Sequence, residues 1–301
     1  MANEKFTSLT IPLLKAKKAS GEKIVAVTAY DFPTARLADE AGMDIILVGD
    51  SLGMVVLGYE NTLPVTMEEM VHHTRAVSRG VKRAFLVADM PYFSFHLSPD
   101  ETIKNAARFI KEAGAKAVKI EGASPRRLEV IEALIEAEIP VMGHIGLTPQ
   151  SIYRFGQYRL RGSDWEEAKR IIKEARELEK RGCFSLVIEC VPEELGKIIT
   201  EEVSIPTIGI GAGRFCDGQI LVFHDLVGLT DGHLPKFVRK YADLASLIKE
   251  ALMKYAREVI EGIYPDLEHT YHLKPDQIKF LSRLKTKFPR SSQKKIRKRS
   301  S

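Results

Sequence analysis

Four acidic residues each stand at the end of a short apolar run, at widely separated points of the chain. Asp50 closes Val48-Gly49-Asp50-Ser51, Asp89 closes Val87-Ala88-Asp89, Glu121 closes Lys119-Ile120-Glu121-Gly122, and Glu189 closes Ile188-Glu189-Cys190. Two bases fall in the same kind of place: Lys119, two residues before Glu121, and His144, which ends the fifth run. If the runs are strands, the period-two rule points Lys119 and Glu121 into the same cavity. Carboxylates that converge in one cavity repel each other unless a cation sits between them. A set rich in oxygen, with no Cys or paired His, favours a hard metal, magnesium first and manganese second. Any one of these acids alone has a plainer use, capping a helix or pairing with a nearby Lys or Arg. Four at matching positions on separate strands favour a shared site.

The elements that must position them follow one rhythm. Apolar, β-branched runs recur at 24–28, 45–48, 84–88, 117–120, 140–142, 185–188, 206–210 and 219–223. They do not alternate with polar residues, as expected of parallel strands buried on both faces. Between them lie helix-start signals: Thr66 with Glu69, Ser98-Pro99 with Glu101, Ser124-Pro125, and Ser163 with Glu166. Strand and helix repeated eight times describe an α/β chain folded as a (β/α)8 TIM barrel, whose reacting groups gather at the carboxyl ends of the strands. The last two units are the least determined, because little helical sequence fits between Gly211 and Gln219. The expected organisation is a barrel over 1–265, a helical extension over 266–289 and a basic, disordered tail over 290–301.

Charge is concentrated at one end. Leu284 to Ser301 carries eight basic residues and no acidic ones, so the net +5 of the whole chain becomes −3 once they are set aside. That tail could touch RNA or a membrane surface, but a short Ser-rich terminus reads more simply as solvated chain, and no nucleic-acid partner is expected. With no 18-residue apolar run and no signal-peptide pattern in residues 1–20, a soluble cytoplasmic protein without a membrane partner is expected. Cys183, Cys190 and Cys216 form no C-x-x-C pair and read as ordinary buried thiols. Three Asn and five Gln against 28% charged residues lean towards a thermophilic source.

The blocks Val48 to Met54, Leu63-Pro64-Val65-Thr66, Lys119 to Gly122, Gly143 to Ser151, Glu189-Cys190-Val191-Pro192, Ile208 to Gly213 and Asp217 to Leu221 occur in the order found in the 3-methyl-2-oxobutanoate hydroxymethyltransferase (ketopantoate hydroxymethyltransferase) family, and the chain resembles that family from about Thr10 to about Gly262. The resemblance implies a barrel of the phosphoenolpyruvate/pyruvate superfamily. It implies transfer of a hydroxymethyl group from 5,10-methylenetetrahydrofolate to 3-methyl-2-oxobutanoate through a magnesium-stabilised enolate, giving ketopantoate for pantothenate and coenzyme A synthesis. It further implies one Mg2+ per subunit held by Asp50, Asp89 and Glu121, substrate contacts from Asp50, Ser51, Asp89 and Lys119, and Glu189 as proton acceptor. A homo-oligomer, a decamer of five-membered rings, is implied as well. The loop Phe155 to Gly162 is only similar to the family pattern, and the part beyond Pro265 is longer than usual.

Some residues keep two readings. Lys119 either meets a substrate carboxylate or only pairs with Glu121. His144 either holds substrate or folate, or is a histidine hydrogen-bonded to a barrel loop. Gly209 to Gly213 is a weak phosphate-loop signal that tight-turn packing explains equally well, and no strand-one G-x-G-x-x-G points to a nicotinamide cofactor. Two other functions compete: a magnesium lyase of the same superfamily, which the Glu189-Cys190-Val191-Pro192 block disfavours, and an RNA-binding protein that acts through its tail.

Overall fold

The computed structural model of the chain describes residues 8–156, 159–232 and 234–284, so the tail expected over 290–301 lies outside the described residues. In order, the elements are α1 Ile11–Ser20, β1 Ile24–Thr28, α2 Phe32–Glu40, β2 Ile45–Val48, α3 Leu52–Val55, α4 Met67–Gly80, β3 Phe85–Asp89, α5 Pro99–Lys111, β4 Ala117–Glu121, α6 Pro125–Glu136, β5 Val141–Gly146, α7 Ile152–Phe155, α8 Trp165–Lys180, β6 Ser185–Glu189, α9 Glu193–Glu202, β7 Thr207–Ile210, β8 Gly218–Leu221, α10 Phe223–Val227, α11 Leu244–Glu261 and α12 Pro275–Leu284. The eight strands run in sequence order as a closed barrel, every pairing parallel, with β8 returning to β1. Each strand lies within a few residues of its expected bounds.

Alternation along the strands separates two cores. Outward side chains such as Ile46, Val48, Leu86, Ile120 and Ile188 pack under the helices. Inward ones, including Ile24, Leu47, Phe85, Val87, Ala117, Met142 and Val187, fill the barrel, where Leu9 and Leu14 join them. Each such buried aliphatic side chain stabilises the fold by about 1.5–3 kcal/mol relative to exposure. The inward columns then continue upward into polar residues. Val87 is followed two positions on by Asp89, Ala117 by Lys119 and Glu121, Met142 by His144, and Val187 by Glu189. The candidate site is thus the top layer of the barrel's interior stack.

Helix starts follow the expected chemistry with one shift. Thr66 and Glu69 form a reciprocal capping box on α4, and the Ser98 and Ser124 hydroxyls accept the amides of Glu101 and Arg127. On α8 the cap is Asp164 rather than Ser163, its carboxylate accepting the Glu167 amide at 2.9 Å. Glu167 in turn accepts the Gly162 amide at 2.7 Å and pairs with Arg161, which draws the start one residue along. Between β7 and β8 no helix forms, and Val25 on the outer face of β1 is 45% exposed. Cys183 and Cys216 are buried as expected, while Cys190 is only half-buried.

By its internal contacts the chain divides into Met1–Leu244, which holds the barrel, and Ala245–Ser301, which holds nearly all of α11 and the whole of α12. Helix α11 has no buried residue; Leu247, Ile248, Leu252 and Met253 are all exposed. Among the described residues no helix is long and apolar enough to cross a membrane.

One side chain ties the entry to β3 to a helix. The Asp39 carboxylate on α2 accepts the amides of Lys82, Arg83 and Ala84 at 2.7 to 3.2 Å. Asp39→Ala strands these donors and is expected to remove about 2–4 kcal/mol of stability. Urea denaturation reads this directly, and an unchanged midpoint refutes the assignment.

Candidate active site

Asp50, Asp89, Lys119, Glu121 and His144 are each between 2% and 5% exposed, so five ionisable side chains are buried together at the barrel mouth. Strand register makes them neighbours. Asp89 on β3 pairs with Lys119 on β4, and Glu121 on β4 pairs with His144 on β5. The Lys119 ammonium lies 2.8 Å from Asp89 Oδ1 and 3.8 Å from Glu121 Oε1. At the other side His144 Nε2 lies 3.2 Å from Glu189 Oε2. Ser51, just past β2, shares a 2.8 Å hydrogen bond with the buried Tyr30 hydroxyl. Every residue expected in the site is therefore brought to one end of the barrel.

Two residues with no assigned role complete the frame. Gln150, in the turn after β5, donates from Nε2 to Asp50 Oδ2 at 2.9 Å and from its backbone amide to Glu121 Oε2 at 3.0 Å. It clamps two acids from different strands. Tyr30 anchors Ser51. Gln150 stands in the Gly143 to Ser151 block already singled out, and Tyr30 two residues beyond the first run. The signal that could have found them is a polar residue just beyond a strand end, the same one that marked the acids.

The backbone under Glu189 is unusually constrained. Cys190 beside it adopts a left-handed φ of 51°, sparsely populated for a residue with a side chain. Opposite it, Gly146 ends β5 at φ 90°, and a Cβ there would stand 2.2 Å from the Glu189 carbonyl oxygen. Only glycine fits.

Burial sets the electrostatics. It pushes the Asp50 carboxyl well above the ordinary carboxylate range, helped by the nearby charges of Asp89 and Glu121. Asp89 is also raised by burial, which outweighs the pull of Lys119. Glu121 goes the other way: burial opposes ionisation, but the His144 hydrogen bond and Lys119 prevail and lower it. Lys119 is raised because the three acids outweigh its desolvation. For His144, burial and Lys119 oppose protonation, yet Glu121 and Glu189 win and raise its pKa to about 9. Its Nδ1 has Lys119 Nζ at 3.2 Å and Glu121 Oε1 at 3.5 Å as neighbours.

Asp50, Asp89 and Glu121 offer oxygen donors alone, the set a hard divalent cation prefers. Asp89 Oδ1 is buried without a well-formed hydrogen bond, and the raised aspartates behave as carboxylates short of positive charge. The residues fit such an ion chemically. Among the described residues, however, no three His, Cys, Asp or Glu side chains close around one point. The Lys119 ammonium stands among the acids instead. At Gly211 and Gly213, both with positive φ, an added Cβ would strike the side chains of Phe237 and Glu193, which favours the tight-turn reading of that segment.

Over residues 8–267 the chain matches the family model described as ketopantoate hydroxymethyltransferase. The chain belongs to this family. A relative from Thermoanaerobacter sp. (strain X514) named 3-methyl-2-oxobutanoate hydroxymethyltransferase is 54% identical over 270 residues, covering 90% of this chain and 97% of its own. One of the same name from Thermotoga neapolitana is 58% identical over 258 residues, 85% of this chain and 95% of its own. As a member of the ketopantoate hydroxymethyltransferase family, the protein is a transferase. Among solved structures it resembles phosphonopyruvate hydrolase in complex with oxalate and Mg++ (TM-score 0.56, 13% identity, 92% of this chain and 96% of that one). It also resembles 2,3-dimethylmalate lyase, a PEP mutase/isocitrate lyase superfamily member (TM-score 0.51, 16% identity, 93% and 96%). At such identities the likeness shows the shared barrel fold and nothing of the reaction.

Because the folded-state pKa of Asp50 is raised, the unfolded chain releases that proton first and stability falls as pH rises above about 4. Asp50→Asn removes the repulsion. In metal-free protein at neutral pH it is expected to raise the melting temperature by at least about 2 °C, the scale of 1 kcal/mol in a domain of this size. The gap should close as pH falls towards 4, and a pH-independent gap would contradict the electrostatic reading.

Proposed function

We propose that the enzyme transfers a hydroxymethyl group from 5,10-methylenetetrahydrofolate to 3-methyl-2-oxobutanoate, giving 2-dehydropantoate (ketopantoate). The observation that carries this reading is the buried constellation of Asp50, Asp89, Lys119, Glu121 and His144, with the half-buried Glu189 beside it, at the mouth of a barrel that belongs to this family. Asp50, Asp89 and Glu121 would hold one Mg2+. When bound, the ion would act as a Lewis acid towards the keto oxygen, making the C3 proton easier to remove.

This chain's own residues do the rest. Lys119 and Ser51 hold the substrate carboxylate, Lys119 through its charge and Ser51 through a hydroxyl oriented by Tyr30. Burial keeps water from competing for these contacts, so each is stronger than it would be at the surface. Glu189, on β6 and across the barrel mouth from Asp50 and Asp89, takes the C3 proton, with His144 Nε2 3.2 Å from its carboxylate. C3 then bonds to the methylene carbon as one of its two carbon–nitrogen bonds breaks; water oxygen replaces the second nitrogen to become the hydroxyl, and the protons released at C3 and from water leave on the two nitrogens of tetrahydrofolate. The exposed apolar side chains of α11 support a homo-oligomer, a decamer on the expectation above.

Separate variants should pull the roles apart. Glu189→Gln keeps shape and hydrogen-bonding capacity but not basicity. It is expected to bind magnesium and the 2-oxo acid while losing C3 deuterium exchange and hydroxymethyl transfer together, by on the order of 10²-fold or more. Proton NMR of 3-methyl-2-oxobutanoate in deuterated buffer measures the exchange, and a normal rate in this variant moves the base elsewhere. Excess chelator is expected to abolish activity, and Asp89→Asn to weaken magnesium activation far more than it changes the melting curve. Full turnover in chelator would sink the metal assignment.

A further inference from the structure

At the edge of the buried carboxylate cluster opens a cleft of about 220 Å³ whose lining includes Glu121 and Gln150 together with Tyr92, Phe95, His96, Arg127, Tyr153 and Arg154. Its floor touches the candidate active site directly, because Gln150 also hydrogen-bonds Asp50. The walls are of an unusual kind for a surface loop. Tyr92, Phe93 and Tyr153 are 40%, 55% and 82% exposed, so large ring faces are left in water next to the site. His96 packs among three of the rings: its ring centre lies 5.0 Å from that of Tyr92, 4.5 Å from Phe95 and 5.8 Å from Phe93. The Arg127 guanidinium stacks 4.3 Å over Phe95 and donates to the carbonyls of Phe95 and Glu121. Phe93 is held in the left-handed region at φ 69°, strain that a folded loop keeps only where its surroundings enforce it.

The cleft also has open valences. His96 Nδ1 and Gln150 Oε1 are buried and without a hydrogen-bond partner. Burial first, then the charge of Arg127, lowers the His96 pKa to about 4, so the ring is neutral and one of its nitrogens accepts. Gln150 Oε1 can only accept. A ligand that completes this cleft is flat enough to stack on Tyr92, brings N–H donors to its floor, and carries negative charge towards the arginines. The volume is below the about 300–1,000 Å³ of a complete small-molecule pocket, so it seats one ring system with the remainder lying along the surface.

We propose that this cleft is the folate subsite. The reduced pterin, a flat bicycle with amide and amine N–H groups, enters against Gln150 and His96. The benzoyl ring passes Tyr92 and Tyr153, and the glutamate carboxylates reach Arg154. This assignment rests on the folate donor proposed above. It adds where that donor docks.

The test is calorimetric titration of tetrahydrofolate into full-length protein with saturating Mg2+ and 3-methyl-2-oxobutanoate. Tyr92→Ala is expected to weaken binding about tenfold or more, the scale of losing one aromatic contact, with Tyr92→Phe close to wild type. Arg154→Glu should weaken tetrahydrofolate more than tetrahydropteroate, which lacks the glutamate. Affinity for the 2-oxo acid should move less than threefold in all of them, which separates a lost subsite from a damaged fold. Wild type that binds tetrahydrofolate, with Tyr92→Ala and Arg154→Glu binding it as tightly, overturns the cleft and leaves the donor standing. Wild type that binds no tetrahydrofolate overturns the donor, and the subsite with it.

Discussion

Charges cannot leave water together unless they cancel locally, and the upper layer of this barrel is built around that constraint. Asp50, Asp89 and Glu121 are carried into a cavity with almost no solvent, where an isolated carboxylate is severely destabilised. Lys119 enters from the same strand as Glu121 and lies within 2.8 Å of Asp89. His144 adds a second positive group between Glu121 and Glu189. The cancellation is incomplete, as the raised Asp50 and Asp89 carboxyls show. That residue of unmatched negative charge makes the cavity attractive to a cation, and the apolar stack beneath it keeps water from quenching the attraction.

Organisation of the site follows from how the strands share these groups. Adjacent strands supply Asp89, Lys119, Glu121 and His144 in direct register, so their spacing is fixed by backbone hydrogen bonds rather than by flexible loops. Gln150 and Tyr30 then lock the two residues that stand past strand ends, Asp50 and Ser51. Proteins that share the barrel at 13% and 16% identity can therefore keep the frame while the top layer of side chains changes.

Much of this was legible in the residues alone, for a physical reason. Parallel strands buried on both faces show as unbroken apolar runs, and a barrel's chemistry must sit where those runs end. Those two facts locate Asp50, Asp89, Glu121 and Glu189. The family resemblance added the division of labour, which spacing could not supply. Other features were hidden because they depend on contacts distant in the chain: the Gln150 clamp reaches across 100 residues to Asp50, and the Asp39 carboxylate spans more than 40 to the start of β3. The shift of the α8 cap from Ser163 to Asp164 was decided by Glu167, whose partners Gly162 and Arg161 lie in the preceding loop.

Gly146 bears on how such an enzyme can change over time. Its missing side chain leaves room for the Glu189 carbonyl, not for the Glu189 carboxylate. The glycine therefore guards a seat and is indifferent to its occupant. A lineage could replace residue 189 and acquire another reaction with the strand undisturbed, whereas one methyl group at 146 would displace the strand end and leave every reacting group chemically intact. Loss of activity on alanine substitution would then look the same at both positions, and only at 189 would it report on chemistry.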